Sequence, residues 1–260
     1  MRPLKKIKTI AAGRPFIIYG SGLLLLLLLT YNCSHINRGL AGMFSSIYPS
    51  ATFIIDTDQK LVALTIDDSP HDQSTDRILR VLDAYNARAT FFVITDSTRG
   101  REHIVRRILD AGHEIGHHMT ADTPSIRLET SRFKDRFTHG DSLLRSWTNV
   151  RWFRPASGLY NAQMSTYLAD RHPRYRIALG TVYPLDAAIP SSGFSTFFIK
   201  HSVSPGSIII LHDGAQRGQR TAETLKRVLP YLKQQGYRVV TLTRLMSAAS
   251  IQSSSGSVSE

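Results

Sequence analysis

Two adjacent carboxylates end an apolar stretch of the chain. Asp67 and Asp68 follow the apolar run 61–66, and Ser69 and Pro70 come directly after them. Such a run is typical of a buried strand. Two ionised carboxylates there are costly unless a cation or a positive side chain lies against them. Asp-Asp before Ser-Pro is more often a turn or a helix N-cap, so this pair indicates a metal site only if other strand ends supply partners.

Titratable or cationic side chains also lie at or after the ends of four later predicted strands, at 113–118, 151–155, 176–183 and 207–211. Because the carboxyl ends of the strands in a parallel βα array meet at one rim, we expect these groups to converge. The groups are His118 with Asp122, Arg154, Asp186, and His212 with Asp213.

The elements that must position these groups alternate along the chain. Helical patterns at 76–86, 101–111, 133–147, 161–172 and 221–235 separate the apolar runs. This alternation predicts an α/β fold, a distorted (β/α) barrel of seven or eight parallel strands over residues 60–245. Residues 32–59 are predicted to be a linker with a first short strand, and the Ser-rich residues 246–260 a disordered tail.

Five segments together resemble the polysaccharide deacetylase family with the NodB homology domain, which is similar to carbohydrate esterase family 4. In order they are 65–70 (TIDDSP), 118–122 (HMTAD), 153–158 (FRPASG), 183–187 (YPLDA) and 208–213 (IIILHD). The resemblance covers roughly residues 60–245. It implies a metal-dependent hydrolase that removes acetyl groups from an N-acetylated polysaccharide.

The resemblance also assigns roles to residues. Asp68, His118 and Asp122 correspond to metal ligands and Asp67 to the general base, held by Arg154. Ser157 corresponds to the residue whose N–H stabilises the oxyanion, and His212, oriented by Asp186, to the general acid. A divalent ion with three protein ligands and an open position makes water a strong nucleophile at neutral pH. Zn²⁺ is the favoured ion, but two carboxylates form a hard site, so Mn²⁺ and Co²⁺ are alternatives.

Several positions depart from the family pattern. Ser69 stands where the family usually has Gly, and Asp122 stands where it usually has His. Ala156 and Ser157 replace the usual Pro-Tyr pair, and the segment 183–187 lacks the usual Trp. These departures leave open a catalytically impaired glycan-binding or scaffolding protein of the same fold, or a deacylase of another amide.

A second motif, 113–117 (HEIGH), matches the H-E-x-x-H pattern of zinc proteases. That pattern needs a helix, yet Gly112 is a natural helix end and Gly116 lies within the segment. In an extended segment His113 and His117 are about 13 Å apart, too far to share one ion. We therefore expect a strand here and no protease site.

The N-terminal part has a basic flank at 1–15 and an apolar span at 16–31 that contains seven consecutive leucines. The span is slightly shorter than the roughly 20 residues of a typical membrane helix. A transmembrane anchor is favoured over a cleaved signal segment, because no clear cleavage site follows. Basic residues before the span predict a cytoplasmic N-terminus and an extracytoplasmic body, secreted if the segment is cleaved.

The charge and cysteine content of the chain limit the partners that it can bind. The formal net charge is +12, and without the six Lys and Arg of the first 46 residues about +6 is left on the rest of the chain, which favours an anionic surface or polymer. The scattered arginines of an exported body argue against nucleic acid. Cys33, the single cysteine, excludes an intrachain disulfide. We expect a monomer whose substrate is an N-acetylhexosamine polymer such as peptidoglycan or a chitin-like glycan.

Overall fold

The structure is a computed structural model that describes residues 34–256. Within this range the strands are β1 Ala51–Thr52, β2 Leu61–Ser69, β3 Ala89–Val93, β4 Glu114–His117, β5 Trp152–Phe153, β6 Arg176–Ala178, β7 Ile208–His212 and β8 Arg238–Val240. The helices are α1 Ser34–Ile47, α2 Ser74–Ala84, α3 Glu102–Asp110, α4 Thr130–Arg145, α5 Ala162–Arg171, α6 Ser192–Ser202, α7 Ala215–Gln234 and α8 Leu242–Gly256. Short 3₁₀ helices lie at Thr95–Thr98, Ser125–Arg127 and Ala156–Gly158.

The strands form one sheet in the order β1-β6-β5-β4-β3-β2-β7, and β8 pairs with the start of β2. All of these ladders are parallel. The predicted parallel α/β array is therefore confirmed. The apolar run of β2 is buried along its length because β2 has strands on both sides and packed side chains on both faces.

The two ends of the sheet approach each other through single bridges. Ile54, just after β1, bridges Ser207, and Val182, after β6, bridges Ile209 of β7. The sheet therefore curls toward a barrel whose last seam is made of isolated bridges. The strands at this seam are short, since β1 has two residues and β6 has three, so a continuous ladder cannot form there.

The two faces of β2 alternate between two apolar clusters. Val62, Leu64 and Ile66 pack in the large cluster that includes the buried faces of the surrounding helices. Leu61 and Ala63 pack in a smaller inner cluster with residues of β3, β5, β7 and α8. Because side chains of a strand alternate with a period of two, Thr65 and Asp67 continue the inner row. The strand thus delivers Asp67 to the carboxyl end of the inner face.

Two predictions concern the ends of the chain. The predicted flank at 1–15 and span at 16–31 lie outside the described residues. Among residues 34–256, no helix combines the length and apolar character needed to cross a membrane.

The structure differs from the predicted disordered tail, because α8 continues to Gly256. The Thr57 hydroxyl donates to the Gln252 side chain at 2.8 Å, and Leu245 and Ala248 are buried in the inner cluster. Tertiary packing of an apolar stripe, which weak periodicity conceals in the sequence, accounts for this helix.

Candidate active site

A cavity of about 380 Å³ lies at the carboxyl ends of the strands. Seven of the eight residues predicted to act in catalysis or metal binding line it: Asp67, Asp68, His118, Asp122, Arg154, Ser157 and His212. The eighth, Asp186, contacts His212 directly. A larger groove of about 720 Å³ lies between α2 and α7 and is lined by none of them. Chemistry, not size, therefore identifies the candidate site.

The backbone at the end of β2 allows both aspartates to face the cavity. Adjacent residues of a regular strand point to opposite faces, so Asp67 and Asp68 would normally diverge. Asp68 has a φ of 65°, in the left-handed region, and the register with β3 shifts between Ile66 and Ser69. Non-glycine residues seldom adopt this conformation, and here it interrupts the alternation.

Asp67 and Arg154 form a buried ion pair. Arg154 NH1 donates to Asp67 Oδ1 at 2.6 Å and to the Thr65 hydroxyl at 2.8 Å, while its Nε donates to the Ala178 carbonyl at 2.9 Å. Arg154 is 1% exposed and its guanidinium lies 4.1 Å from the centre of the Phe92 ring. A buried charge of this kind is tolerated only with such partners. The pair fixes the Asp67 carboxylate in place.

His118 lies between the backbone of β5 and the second aspartate. Its Nδ1 lies 2.8 Å from the carbonyl oxygen of Arg154, and its Nε2 lies 3.5 Å from Asp68 Oδ1. Nδ1 must donate to that carbonyl, so in the neutral ring Nε2 carries a lone pair directed at the carboxylate. Two such acceptors repel each other unless a proton or a cation lies between them.

Burial shapes the pKa values of this pair. Burial raises the pKa of Asp68, but the hydrogen bond and charge of His118, together with His212 and Arg217, outweigh it and hold the pKa below its usual value. Burial lowers the pKa of His118, but Asp67 and Asp68 outweigh it and raise the pKa above its usual value. Asp68 and His118 therefore interact strongly, and the space between them favours a bound proton or cation.

His212 and Asp186 form a second pair. His212 Nδ1 lies 2.8 Å from Asp186 Oδ1, and the His212 backbone N–H donates to Asp186 Oδ2 at 2.9 Å. One carboxylate thus holds both the ring and the backbone of His212. Burial lowers the pKa of His212, but the hydrogen bond with Asp186 and the charges of Asp67, Asp186 and Asp68 outweigh it, so the pKa is raised. The ring is poised to carry a proton into the cavity.

Asp122 does not join the other two predicted ligands. Its side chain is 61% exposed in the loop after β4, and its nearest ionic partner is Arg217, with NH2 at 4.0 Å from Oδ2. Among the described residues, no three His, Cys, Asp or Glu side chains are grouped closely enough to hold a metal ion. The structure brings Asp68 and His118 together but not Asp122, whose role as a ligand stays a prediction. The Arg217 guanidinium lies between the two carboxylates, with Nη1 at 3.1 Å from Asp68 Oδ2.

Ser69, which replaces the usual glycine, joins the ends of β2 and β7. Its hydroxyl donates to Asp213 Oδ2 at 2.9 Å. The hydroxyls of Ser74 and Thr75 and the N–H of Gly214 donate to the same carboxylate. Asp213 is fully buried and each of its oxygens accepts hydrogen bonds, so it holds the site together and does not face substrate.

The H-E-x-x-H segment is extended, as predicted, because its residues 114–117 form β4. His113 Nδ1 accepts from the N–H of Ala89, while the His117 ring stacks on Phe137 with centroids 4.6 Å apart. The two histidines thus have separate structural partners, and no protease site exists here.

Two cavity residues had no assigned role in the sequence analysis. The Tyr183 ring lies 5.7 Å from the His212 ring, whereas Trp152 is buried and donates to the Thr243 hydroxyl. Arg217 lies in the first turn of α7 and contacts Asp68 at 3.1 Å. Its position just after 208–213 was a usable signal, because helix N-termini that follow the strands border the same rim.

The carboxyl ends of this parallel α/β sheet carry an Asp–Arg pair and an Asp–His pair. The fold and these pairs place the protein in the class of α/β enzymes with an acid–base site. Residues 55–174, slightly less than half of the chain, match the polysaccharide deacetylase family model. The match confirms the predicted resemblance. It ends before the segments 183–187 and 208–213, whose roles rest on their own residues.

Individual relatives agree with this resemblance. A peptidoglycan-N-acetylglucosamine deacetylase of Bacillus cereus is 29% identical over 198 residues, which are 75% of this chain and 92% of the relative. A family 4 acetyl xylan esterase from Clostridium thermocellum, solved in complex with a cobalt ion, is 28% identical with a TM-score of 0.66, covering 72% of this chain and 91% of that one. A CE4 family pseudoenzyme from Bacillus anthracis has a TM-score of 0.69 at 24% identity, covering 76% and 69% of the two chains, and shows the fold alone.

Proposed function

We propose that this protein is a metal-dependent hydrolase that removes N-acetyl groups from an N-acetylhexosamine polymer, with peptidoglycan as the main candidate. The observation that carries the proposal is the presence of two fixed acid–base pairs on neighbouring strands. Asp67 of β2 is held by Arg154, and His212 of β7, its register partner, is held by Asp186. The match to the deacetylase family model and the Bacillus cereus relative support this choice of substrate class.

The reaction needs one proton removed and one delivered. Asp67, kept in place by Arg154, accepts a proton from the attacking water as the carbon–oxygen bond forms. His212, protonated on the nitrogen opposite Asp186, gives a proton to the amine as the carbon–nitrogen bond breaks. The products are acetate and a free amine on the sugar. Ser157, which lines the cavity with a φ of 68°, is proposed to stabilise the oxyanion through its N–H.

The donors present fit a divalent cation. Two ligands of a tetrahedral zinc ion are separated by about 3.4 Å, given bonds near 2.1 Å. The 3.5 Å between Asp68 Oδ1 and His118 Nε2 matches this separation, and the lone pair on Nε2 is the one that metal binding needs. Asp68 and His118 would hold the ion, and we propose the exposed Asp122 as a third donor from the loop after β4. A bound ion supplies Lewis acidity, which acidifies water and polarises the acetyl carbonyl. Zn²⁺, Mn²⁺ and Co²⁺ are the candidates.

Acetate release tests the proposal. The full chain, with each candidate metal added, is incubated with acetylated chito-oligomers and with peptidoglycan, and free acetate is measured. We expect release by the wild type and a loss of about 10²-fold to 10⁴-fold in Asp67→Asn. Asp135→Asn, an exposed position on α4, is the matched control and should keep full activity. Equal activity of Asp67→Asn and the wild type would show that Asp67 is not the general base.

A catalytically impaired glycan-binding protein of the same fold is the second candidate. The observation that favours it is the exposed Asp122, which is paired with Arg217 and does not join the other donors. This candidate predicts binding of chito-oligomers without acetate release across all three metals. Turnover with any of them would exclude it.

The proposed enzyme acts outside the cytoplasm as a monomer, tethered to the membrane by residues 16–31 or secreted after their cleavage. The basic residues before the apolar span support this orientation. A tag at the C-terminus should be cut by protease added to intact cells. Protection of the tag in intact cells, with cleavage after lysis, would place the body in the cytoplasm.

A further inference from the structure

Arg217 connects two of the three predicted metal ligands. Its NH1 lies 3.1 Å from Asp68 Oδ2, and its NH2 lies 4.0 Å from Asp122 Oδ2. The Asp68 side chain is 7% exposed and that of Asp122 is 61% exposed, while the Arg217 side chain is 34% exposed. One end of the guanidinium is thus anchored in the site, and the other end reaches a carboxylate on the surface loop.

With Arg217 in this position, each carboxylate oxygen of Asp68 has a different partner. Asp68 Oδ1 faces His118 Nε2, and Asp68 Oδ2 faces the guanidinium. A planar guanidinium is always charged and presents several donors in a fixed fork, so it can satisfy two carboxylates at once. A metal ion needs a ligand oxygen within about 2.2 Å. The guanidinium and an ion therefore compete for the same carboxylates.

We propose that Arg217 is an internal competitor of the divalent cation. It pairs with Asp68 and Asp122 when no ion is bound, and the ion displaces it toward solvent on binding. This inference rests on the proposed function, since it concerns the metal site of the same cavity. The Arg217 side chain is 34% exposed, which gives the guanidinium a route toward solvent.

Asp at position 122 is a requirement of this arrangement. A carboxylate can pair with a guanidinium in one state and bind a metal ion in the other. A neutral imidazole at the same position could bind the ion but could not attract Arg217. With Asp in place of the usual histidine, the loop after β4 can pair with either Arg217 or the metal ion. Metal binding must then break the ion pair with Arg217, and the affinity for the metal is lowered by the free energy of that pair.

Metal affinity of the full chain tests the inference. The protein is stripped with a chelator and titrated with Co²⁺, and binding is followed by visible absorption and by equilibrium dialysis. We expect Arg217→Gln to bind Co²⁺ about tenfold more tightly than the wild type, the factor that corresponds to the loss of one partly buried ion pair. Arg217→Lys, which keeps the charge but loses the fork, should lie between them. Arg220→Gln, on the same helix in the groove between α2 and α7, is the matched control and should bind like the wild type.

The outcomes separate this inference from the proposed function. Tighter binding in Arg217→Gln, including binding where the wild type has none, supports the competitor role. Equal or weaker binding in both Arg217 variants, with a wild type that binds Co²⁺, overturns the competitor role and leaves the metal site in place. Absence of Co²⁺ binding in the wild type and in every variant overturns both. Thermal unfolding of each variant verifies that it is folded.

Discussion

At the scale of single residues, the Asp67–Arg154 pair is held by burial as much as by charge. Arg154 lies on the inner face of the sheet among apolar side chains, where Thr65, Asp67 and Ala178 accept its hydrogen bonds. Removing one member of such a pair leaves the other charge buried without compensation. The pair therefore links the proposed chemistry to the stability of the whole fold.

Arg154→Met should lower the free energy of unfolding by about 3–5 kcal/mol, because it leaves the Asp67 carboxylate buried and unpaired. The double variant Asp67→Asn with Arg154→Met removes both charges and should recover part of this loss. Urea unfolding of the single and double variants measures the difference. A double variant less stable than Arg154→Met would mean that charge compensation is not the reason for the loss.

Proton donation by His212 makes activity depend on pH. The ring must be protonated to give a proton to the amine, so the rate should fall as pH rises through its raised pKa. Asp186 is one cause of that raised pKa. Asp186→Asn should therefore move the alkaline limb of the kcat/KM profile to lower pH, while Asp135→Asn should leave it in place. An unmoved limb in Asp186→Asn would contradict the role of His212 as acid.

The sequence identified most of these residues, but not their full set of partners. Asp67, Arg154, Asp186 and His212 each follow an apolar run, and a parallel sheet is enough to bring them to one rim. Arg217 depends on which face of the first turn of α7 points to the cavity, and Asp122 depends on the path of a loop. Neither property is encoded in a short local pattern, so the contact between Arg217 and Asp122 is seen only in the folded structure.

At the scale of elements, β4 shows why a motif needs its secondary structure. His117 is fully buried between β4 and α4, where Nδ1 accepts from the Met119 N–H at 2.9 Å and Nε2 donates to the Phe137 carbonyl at 3.1 Å. These bonds describe a neutral ring. Burial lowers the pKa of His117 to about 4. The residue therefore serves packing between two elements and not metal binding.

This burial predicts that acid weakens the contact between β4 and α4. The unfolded chain binds a proton at His117 near pH 6.5, while the folded chain resists protonation down to about pH 4. The contribution of His117 to the free energy of unfolding is therefore fully present above pH 6.5. It decreases as the pH falls toward 4, by about 3 kcal/mol in total. His117→Gln, which cannot titrate, should show a smaller loss of unfolding free energy between pH 7 and pH 4. Identical pH dependence in the two proteins would exclude this contribution.

The element boundaries were predictable where apolar periodicity is strong and less so elsewhere. The alternation of strands and helices follows from the apolar runs and the helical patterns between them. The turn of Asp68 toward the cavity does not, because it depends on a left-handed residue and a register shift inside β2. The serine-rich composition after Met246 likewise conceals that α8 continues and buries Ala248 beside Leu245.

At the scale of the whole molecule, the inner face of the sheet has two different ends. The carboxyl end is open and forms the candidate site. The other end is covered by α8, because its Leu242 and Leu245 pack against Leu61 and Ile208, the first residues of β2 and β7. One end of the sheet therefore provides stability and the other provides chemistry, a division that parallel α/β proteins commonly make.

Leu245→Ala tests this division, because Leu245 is fully buried in the inner cluster. A cavity there should lower the free energy of unfolding by about 2–5 kcal/mol. Ile251→Ala, on the same helix at a position 64% exposed, is the control and should change stability by less than about 0.5 kcal/mol. Acetate release by Leu245→Ala at low temperature should stay near the wild-type level, since α8 lies at the end of the sheet away from Asp67 and His212. If the two variants are equally stable, α8 does not close the inner face, and the prediction of a disordered tail describes the protein better.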